Sequence, residues 1–378
     1  MNIWRLVILY LMCVGLSVLS VRAKDVNPVT LMLPSEGSVV PVLTAGQREF
    51  FGMSDEERRK PQGDALTRAK WLSLGWYPQP VVFVWDGIQT RKCDVRFRIW
   101  READNVCICD TNFLYLTTSR FEWDNFRVGT AYRWGLDVKG QTTGSTRAHF
   151  TTDDTPPRII RVQGVPNVRD LGGWRTRSGR RVRQGLLYRT ANLCENSGEC
   201  RERPPRTRMT PETCYFMTNA LGIRTELDLR GPRECEGLVV SPLGSSVRRV
   251  ELSSGCYGAM SGEKEKEACL AALRLMAGGE SLPLIFHCSS GQDRTGTLAF
   301  IVNGLLGVSP DDLARDWDAS MLWNNNSGWL NRNFSYAALI KLMDAYPGET
   351  LNDRIVAYVK SIGFLDKEIA CLRDLLLE

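Results

Sequence analysis

Histidine is almost absent from this chain. Only His149 and His287 occur among 378 residues. That scarcity excludes a histidine-rich metal centre and leaves a Ser-His-Asp triad almost no candidates. Cys-x-x-Cys pairs are missing, so the twelve cysteines do not outline a zinc site. Beyond the N-terminus no apolar run reaches the roughly 20 residues that a membrane-spanning helix needs. There is no internal repeat and no low-complexity tract. Lysine disappears entirely between Arg158 and Arg208, where thirteen arginines stand beside four acids. A local arginine field suits an anionic, phosphorylated ligand. A solvated arginine-rich surface is the plainer alternative.

What is present describes an ordinary soluble chain. The residues are 43% hydrophobic and 24% charged, with eleven tryptophans as large apolar anchors. That is enough apolar material for packed cores and excludes wholesale disorder. The length suggests two domains, or three at most. The net charge of +5 by itself discriminates little.

Residues 1–23 read as a secretory signal peptide. Arg5 supplies the positive start, Leu6 to Val21 the apolar core, and Val21-Arg22-Ala23 a small-residue cleavage site before Lys24. An uncleaved anchor is the alternative. Cys13 lacks the small residue that a bacterial lipoprotein site would place before it. The chain is therefore expected to be exported, to a periplasm or to the extracellular space. Export permits disulfides among the cysteines, and Cys194 with Cys200, which bracket a short polar loop, are the expected local pair. Cys107 and Cys109 lie on a strand-like run, facing the same way, and would be strained if bridged to each other.

Residues 28–153 carry mostly strand signals. Pro80 to Trp85 is an apolar run. Val95, Phe97 and Ile99 alternate with Arg96 and Arg98, and Tyr132, Trp134, Leu136 and Val138 alternate likewise. A charged, helix-like insertion covers Thr44 to Lys70. The expectation is an all-β sandwich. It resembles a fibronectin type III-like module in the strand YRWGLDV and the closing AHFTTDDTPPR. Asp153 to Pro157 forms the natural boundary, since Pro-Pro cannot continue a sheet.

From residue 158 to 378 strands and helices mix. Gly185 to Arg189, Ile223 to Leu229 and Leu282 to Phe286 read as strands. Helices are expected from Pro211 to Gly222 behind a Thr210 cap, from Glu263 to Ala277, after Ser309, and over Asp353–Ile362 and Asp366–Leu377. The fold class is α/β, a central mixed sheet flanked by helices and preceded by the sandwich.

The chemistry is concentrated in His287 to Gly296, HCSSGQDRTG. The strand Leu282–Phe286 delivers Cys288 at its C-terminal end, five residues separate it from Arg294, and a helix follows near Thr295. So short a loop curls round and turns its N–H groups inward, making an anion cradle backed by the helix N-terminus. Gly291 permits the turn. A thiol in that field ionises readily. The planar fork of Arg294 can hold two phosphate oxygens. Thiolate, donors and fork together specify phosphoryl transfer through a phosphocysteine. Thr295 is placed to hydrogen-bond the departing thiolate. His287 is expected to fix the loop rather than act as a base. The plain alternative is a buried cysteine beside a surface Arg-Gly turn, which the preceding His, central Gly and following Thr-Gly argue against.

With these residues the chain resembles the cysteine-based tyrosine phosphatase superfamily, in the bacterial branch related to a secreted mycobacterial phosphatase. NVRDLGGW (Asn167–Trp174), GLLYRTANL (Gly185–Leu193) and LGIRTELDLRGPRE (Leu221–Glu234) extend the resemblance over about Arg158–Leu377. The resemblance implies Cys288 as nucleophile and Arg294 as phosphate ligand, with Ser289, Ser290, Gly291, Gln292, Thr295, Gly296 and Arg189 around the substrate. His287, Asp170 and Arg169 would support them from behind. The general acid is either Asp293 in the loop or Asp228 in the DLR segment. A structural salt bridge from Asp228 to Arg169 or Arg230 is an equal reading. Where this branch commonly carries Lys, Gln292 stands here, which weakens a match to multiply phosphorylated lipids.

The expected function is hydrolysis of phosphotyrosine monoesters, with phosphoserine and phosphothreonine left open. No metal or other cofactor is expected, and no nucleic acid or membrane partner. The partners are a phosphorylated protein or a small phosphomonoester. Alternatives are a phosphoinositide or inositol-phosphate phosphatase, a sulfur transferase, and a non-catalytic phosphate-binding adhesion protein. The Arg294 spacing and the Asp-Arg-Thr-Gly tail disfavour the sulfur transferase, and the intact set of Cys288, Asp293, Arg294 and Thr295 argues against a vestigial binding protein. Mass spectrometry of the exported protein should find Lys24 at its N-terminus; a chain retaining Met1 would remove the cleavage site.

Overall fold

Alternation of apolar and polar residues organises the N-terminal half. The structure is a computed structural model, and it describes residues 29–59, 73, 75–86, 95–113, 119–138, 146–193, 209–235, 237–253, 262–323 and 335–378. The signal segment and the Cys194–Cys200 pair lie outside these residues. Strands β1 (Thr30–Leu33), β3 (Val81–Asp86) and β6 (Arg120–Trp123) make a three-stranded antiparallel sheet. Strands β2 (Ser38–Val40), β4 (Val95–Arg101), β5 (Cys107–Phe113), β7 (Ala131–Val138) and β8 (Thr146–Thr152) make a second, ordered β2-β8-β7-β4-β5. Their inner faces share one aromatic core. The Phe83 ring lies 5.1 Å from those of Phe97 and Trp134 and 5.8 Å from Phe150, the edge-on spacing aromatic pairs prefer.

This half is not all-β. Helix α1 (Ala45–Gly52) starts at a capping box between Thr44 and Gln47 and buries Phe50 and Phe51. Helix α2 (Asp55–Arg59) follows. The pairing of β2 with β8 is parallel. All seven cysteines among the described residues are free thiols, so none of them is in a disulfide. Cys109 is buried while Cys107 is exposed, and the β4–β5 register shifts between their partners.

The C-terminal half is built on short strands, all but the Arg248–Glu251 edge strand buried on both faces. β9 (Arg169–Asp170), β10 (Leu187–Thr190), β11 (Thr225–Asp228), β12 (Arg248–Glu251) and β13 (Leu284–His287) form a sheet ordered β12-β11-β13-β10-β9. It is parallel except at β9. Every residue of β10, β11 and β13 is buried, as parallel strands between helical layers require. On β13, Leu284 and Phe286 join one core and Ile285 the other, the two-residue period of a strand.

Helices cover these faces. Thr210 caps α3 (Pro211–Tyr215), accepting from the Thr213 amide at 3.2 Å, and a π-helical turn continues over Phe216–Ala220. One uninterrupted helix was expected there. Helices α4 (Glu263–Ala277), α5 (Asp293–Leu306), α6 (Pro310–Asp318), α7 (Ala337–Met343), α8 (Leu351–Ser361) and α9 (Asp366–Leu376) complete the layers. Among the described residues no helix is long and apolar enough to cross a membrane.

Four arginines of the described part of the field lie at or near the join between the halves. Arg161 pairs with Asp124, Arg175 and Arg181 with Asp154, and Arg158 with Asp170. These four guanidiniums are each paired with a carboxylate of the chain, Arg161 and Arg175 at its surface, so they are not a free phosphate-binding patch. Ala319, Met321 and Leu322, which follow α6, enter the N-terminal aromatic core. Gln184 bonds both the N–H and the carbonyl of Val128, each at 2.9 Å. Fully buried Arg58 on α2 donates to fully buried Asp318 on α6 at 2.9 Å. Removing one member of a buried pair leaves the other charge uncompensated, at about 3–5 kcal/mol. Arg58→Met should therefore lower unfolding stability by about that amount and shift the transitions of both halves together. Unchanged denaturant midpoints would show that the pair does not join them.

Candidate active site

The sequence places Cys288 immediately after β13, the middle strand of the sheet. The thiol is buried at the strand's C-terminal end, 3% exposed, and α5 begins five residues later at Asp293. Three loop carbonyls are bound from outside. The Ser289 carbonyl accepts from the Asn192 amide at 3.0 Å. Asn167 Nδ2 donates to the carbonyls of Ser290 and Gly291 at 3.0 and 3.1 Å. Arg189 Nη2 donates to the Gly291 carbonyl at 2.8 Å. In a planar trans peptide the N–H points opposite to its carbonyl. Fixing three carbonyls outward thus turns the following N–H groups toward the loop's interior, as an anion cradle needs.

Gly291 is required on two counts. Its φ is +67°, and a Cβ there would run into the backbone of Thr190 and Ala191. Gly296, one turn into α5, lets the helix approach Trp317; a Cβ would stand 2.9 Å from its ring.

Arg169 and Arg189 are tied together by Asp316, on α6. Arg169 donates to Asp316 Oδ1 at 2.8 Å and Arg189 to Oδ2 at 2.5 Å. Arg169 also donates to the Asn167 side-chain oxygen. Burial raises the cost of the Asp316 charge, but the two guanidiniums outweigh it and hold the carboxyl below its usual range. Burial and its neighbour Arg189 push Arg169 down to about 10, still protonated at neutral pH. Two cations against one anion leave a net positive charge behind the loop, which favours an anion inside it.

Arg294 presents its fork toward Glu234. Nη1 lies 2.6 Å from Oε2 and Nη2 lies 2.9 Å from Oε1, and Nη2 also meets Ser289 Oγ at 3.1 Å. Ser289 itself donates to Glu234. Burial opposes the Glu234 charge, yet the bonds from Arg294 and Ser289 prevail and bring its pKa to about 2. Glu234 lies inside the quoted LGIRTELDLRGPRE segment but had no assigned role. The signal was there: a carboxylate a few residues past a strand that neighbours β13.

Asp228 belongs to a buried polar cluster rather than to an opening. It accepts from Arg230 at 2.9 and 2.7 Å and from Arg249 at 2.8 Å, and the Cys235 thiol donates to it at 3.3 Å. Its burial is complete, and despite that burial His287, Arg230 and Arg249 hold it well below the carboxylate range. A carboxyl locked in its ionised form by two guanidiniums is not placed to give a proton to a leaving group. The alternative partner Arg169 is engaged by Asp316. His287 is fully buried, with Nε2 2.9 Å from Glu226 and Nδ1 3.2 Å from the Cys288 carbonyl. It therefore fastens the first peptide of the loop. Glu226, Asp228 and His287 are the one cluster of potential metal donors among the described residues. Arg230 and Arg249 already fill the Asp228 oxygens, so the donor set does not suit a metal.

Asp170 lies away from the loop. It receives Arg158 and the amides of Gly172 and Gly185, and so braces the β9–β10 connection. Asp293 opens α5, where an acid suits the helix dipole. Gln292 is buried just before it. The Thr295 hydroxyl is buried with no hydrogen-bond partner among the described residues. That orphaned donor sits at the first turn beyond the loop, where a thiolate would satisfy it.

The sequence profile described as "Tyrosine phosphatase family" matches residues 160–378. A Cupriavidus necator protein named "Putative tyrosine-protein phosphatase H16_A0669" is 29% identical over 223 residues, covering 53% of this chain and 77% of that protein. Two solved structures are similar in part. P. aeruginosa TpbA in complex with pTyr shares 16% identity at a TM-score of 0.29, covering 48% of this chain and 90% of that one. The core catalytic domain of the PP-IP phosphatase SIW14 from S. cerevisiae, in complex with citrate, shares 14% identity at a TM-score of 0.26, covering 43% and 91%.

Gly291→Ala should leave a folded but nearly inactive protein, its loop displaced from Thr190. Glu234 stabilises the fold while ionised. Its contribution is present above the usual glutamate range and is lost as pH falls through about 2. Glu234→Gln should flatten the fall in stability between about pH 4.5 and pH 2, read as melting temperature against pH; an unchanged slope would remove Glu234 from the acid response.

Proposed function

The chain belongs to the tyrosine phosphatase family, and on that premise we propose that it is an exported hydrolase of phosphotyrosine monoesters that works through a phosphocysteine. The observation that carries this reading is the meeting of three features at the end of β13. A buried thiol lies in a loop whose carbonyls are fastened outward, with an arginine fork at the loop's rim. Asp316, Asn167, Arg169 and Arg189 act as positioning residues for that loop.

In the first step the Cys288 thiolate attacks phosphorus, the bond from phosphorus to the leaving oxygen breaks, and Asp293 gives that oxygen its proton. Loop N–H groups and Arg294 carry the charge of the equatorial oxygens. In the second step water attacks phosphorus, Asp293 takes up a proton, and the S–P bond breaks. The Thr295 hydroxyl then stabilises the returning thiolate. Asp293 is preferred over Asp228 because Asp228 is enclosed by Arg230 and Arg249. Ser289, Ser290, Gln292 and Gly296 line the cradle. A chain similar to the secreted mycobacterial branch, with residues 1–23 removed on export and a fibronectin type III-like module as a brace, fits this reading.

Full-length protein should hydrolyse p-nitrophenyl phosphate in reductant and EDTA, with inhibition by vanadate, and Cys288→Ser should abolish turnover. Asp293→Asn should lower kcat roughly 10²–10⁴-fold on phosphotyrosine peptide and on alkyl phosphates. The loss should shrink on p-nitrophenyl phosphate, whose leaving group needs little help. A folded, reduced wild type without activity would contradict the proposal, as would equal losses on both leaving groups for the choice of Asp293.

A further inference from the structure

A cleft of about 320 Å³ lies where the two halves meet, away from the catalytic loop. Trp123 and Arg101 line it from the N-terminal sheets; Tyr188 and Phe216 line it from the phosphatase half. Its volume is at the lower end of the range of small-ligand sites, roughly 300–1,000 Å³, and such sites favour domain junctions.

Three arginines reach this cleft, and they differ in how they are satisfied. Arg158 is spent on Asp170 at 2.8 Å and on the carbonyls of Phe126 and Asn125 at 3.2 and 3.0 Å. Arg101 is spent on Asp104 at 2.9 Å. Asp124, the acid of the lining, is engaged by Arg161. Arg127 has no salt bridge and no side-chain hydrogen-bond partner among the described residues, and its Nε is shielded from water and unsatisfied; the carboxylates that act on it from a distance, Asp170 and Asp104, are held by Arg158 and Arg101. Its guanidinium lies over Gly185, where a side chain would collide with it. Burial lowers its pKa and the like charges of Arg158 and Arg101 add to that, outweighing the opposing pull of Asp170. A partly desolvated cation that faces two others is costly until an anion joins it.

We propose that this cleft is a second, non-catalytic site for a small organic anion, with a carboxylate or phosphate head against Arg127 and a flat apolar body against Trp123 and Phe216. The aromatic walls favour a planar body, and Arg127 and the neighbouring positive charge select the head. No residue of the catalytic loop lines the cleft, so its occupant need not be a substrate.

The test is calorimetric titration of the full chain with benzoate and with phenylphosphonate, on wild type, Arg127→Met and Arg294→Met. Binding that persists in Arg294→Met and weakens about tenfold or more in Arg127→Met supports the site. The benzoate and phenylphosphonate arms decide between the two heads. Binding lost in Arg294→Met but kept in Arg127→Met places the probes in the catalytic loop and overturns the proposal, as does saturable binding of neither probe. Melting curves guard against misfolding. Without ligand, Arg127→Met should melt at or above the wild-type temperature, because it removes a half-buried charge that no salt bridge holds among the described residues. A marked drop would make Arg127 structural and overturn the proposal. These results do not depend on turnover, so they stand apart from the test of the phosphatase reading.

Discussion

Everything at the candidate site depends on one carboxylate holding two buried guanidiniums. Asp316 fixes Arg169 and Arg189 together. Arg189 then holds the Gly291 carbonyl, and Arg169 holds Asn167, which grips Ser290 and Gly291. The orientation of the loop is thus imposed from behind by buried charges. Two such cations around one anion are costly to bury and yield an excess positive charge behind the cradle. Asp316 fixes the geometry, and the surplus cation favours an anion there.

That support reaches into the N-terminal half. Asp316 and Asp318 lie on the same helix, the first facing the loop and the second facing Arg58. The segment that follows sends Ala319, Met321 and Leu322 into the aromatic core of the sheets, and Ser320 touches both Asn167 and Arg169. The N-terminal half therefore packs on the back of the apparatus that shapes the loop, and is more than a spacer in the chain.

Much of the site was legible because its residues sit close together in sequence. His287 to Gly296 encodes strand end, thiol, turn glycine, helix start and fork in ten positions, and the structure brings them together, with the helix starting at Asp293 rather than near Thr295 and the fork inside its first turn. Gly291 at positive φ and the buried strand before Cys288 follow from local chemistry alone. Glu234 and Asn167 stood inside the quoted segments without a role, and Asp316 stood outside them. Each acts through a contact 60 or more residues away, from Glu234 to Arg294 and from Asn167 to Ser290, and no local pattern marks which acid meets which arginine. The arginine-rich stretch was ambiguous for the same reason: Arg169 and Arg189 stand behind the loop, while Arg161, Arg175 and Arg181 pair elsewhere. Its density is visible in the sequence, but its partners Asp124, Asp154 and Asp316 lie outside it. The N-terminal half showed its alternating strands plainly, while the parallel β2–β8 pairing, which brings residues 38–40 beside 150–152, is a long-range choice.

The most direct measurement is rapid acid quenching of the full-length enzyme during turnover of a phosphotyrosine peptide, followed by peptide mapping for the phosphoryl group. The account predicts one phosphoryl group on Cys288, appearing before product release is complete and decaying as turnover ends. Turnover with no phosphorylated Cys288 peptide, or with the group on another residue, would contradict the covalent mechanism and the loop's assignment.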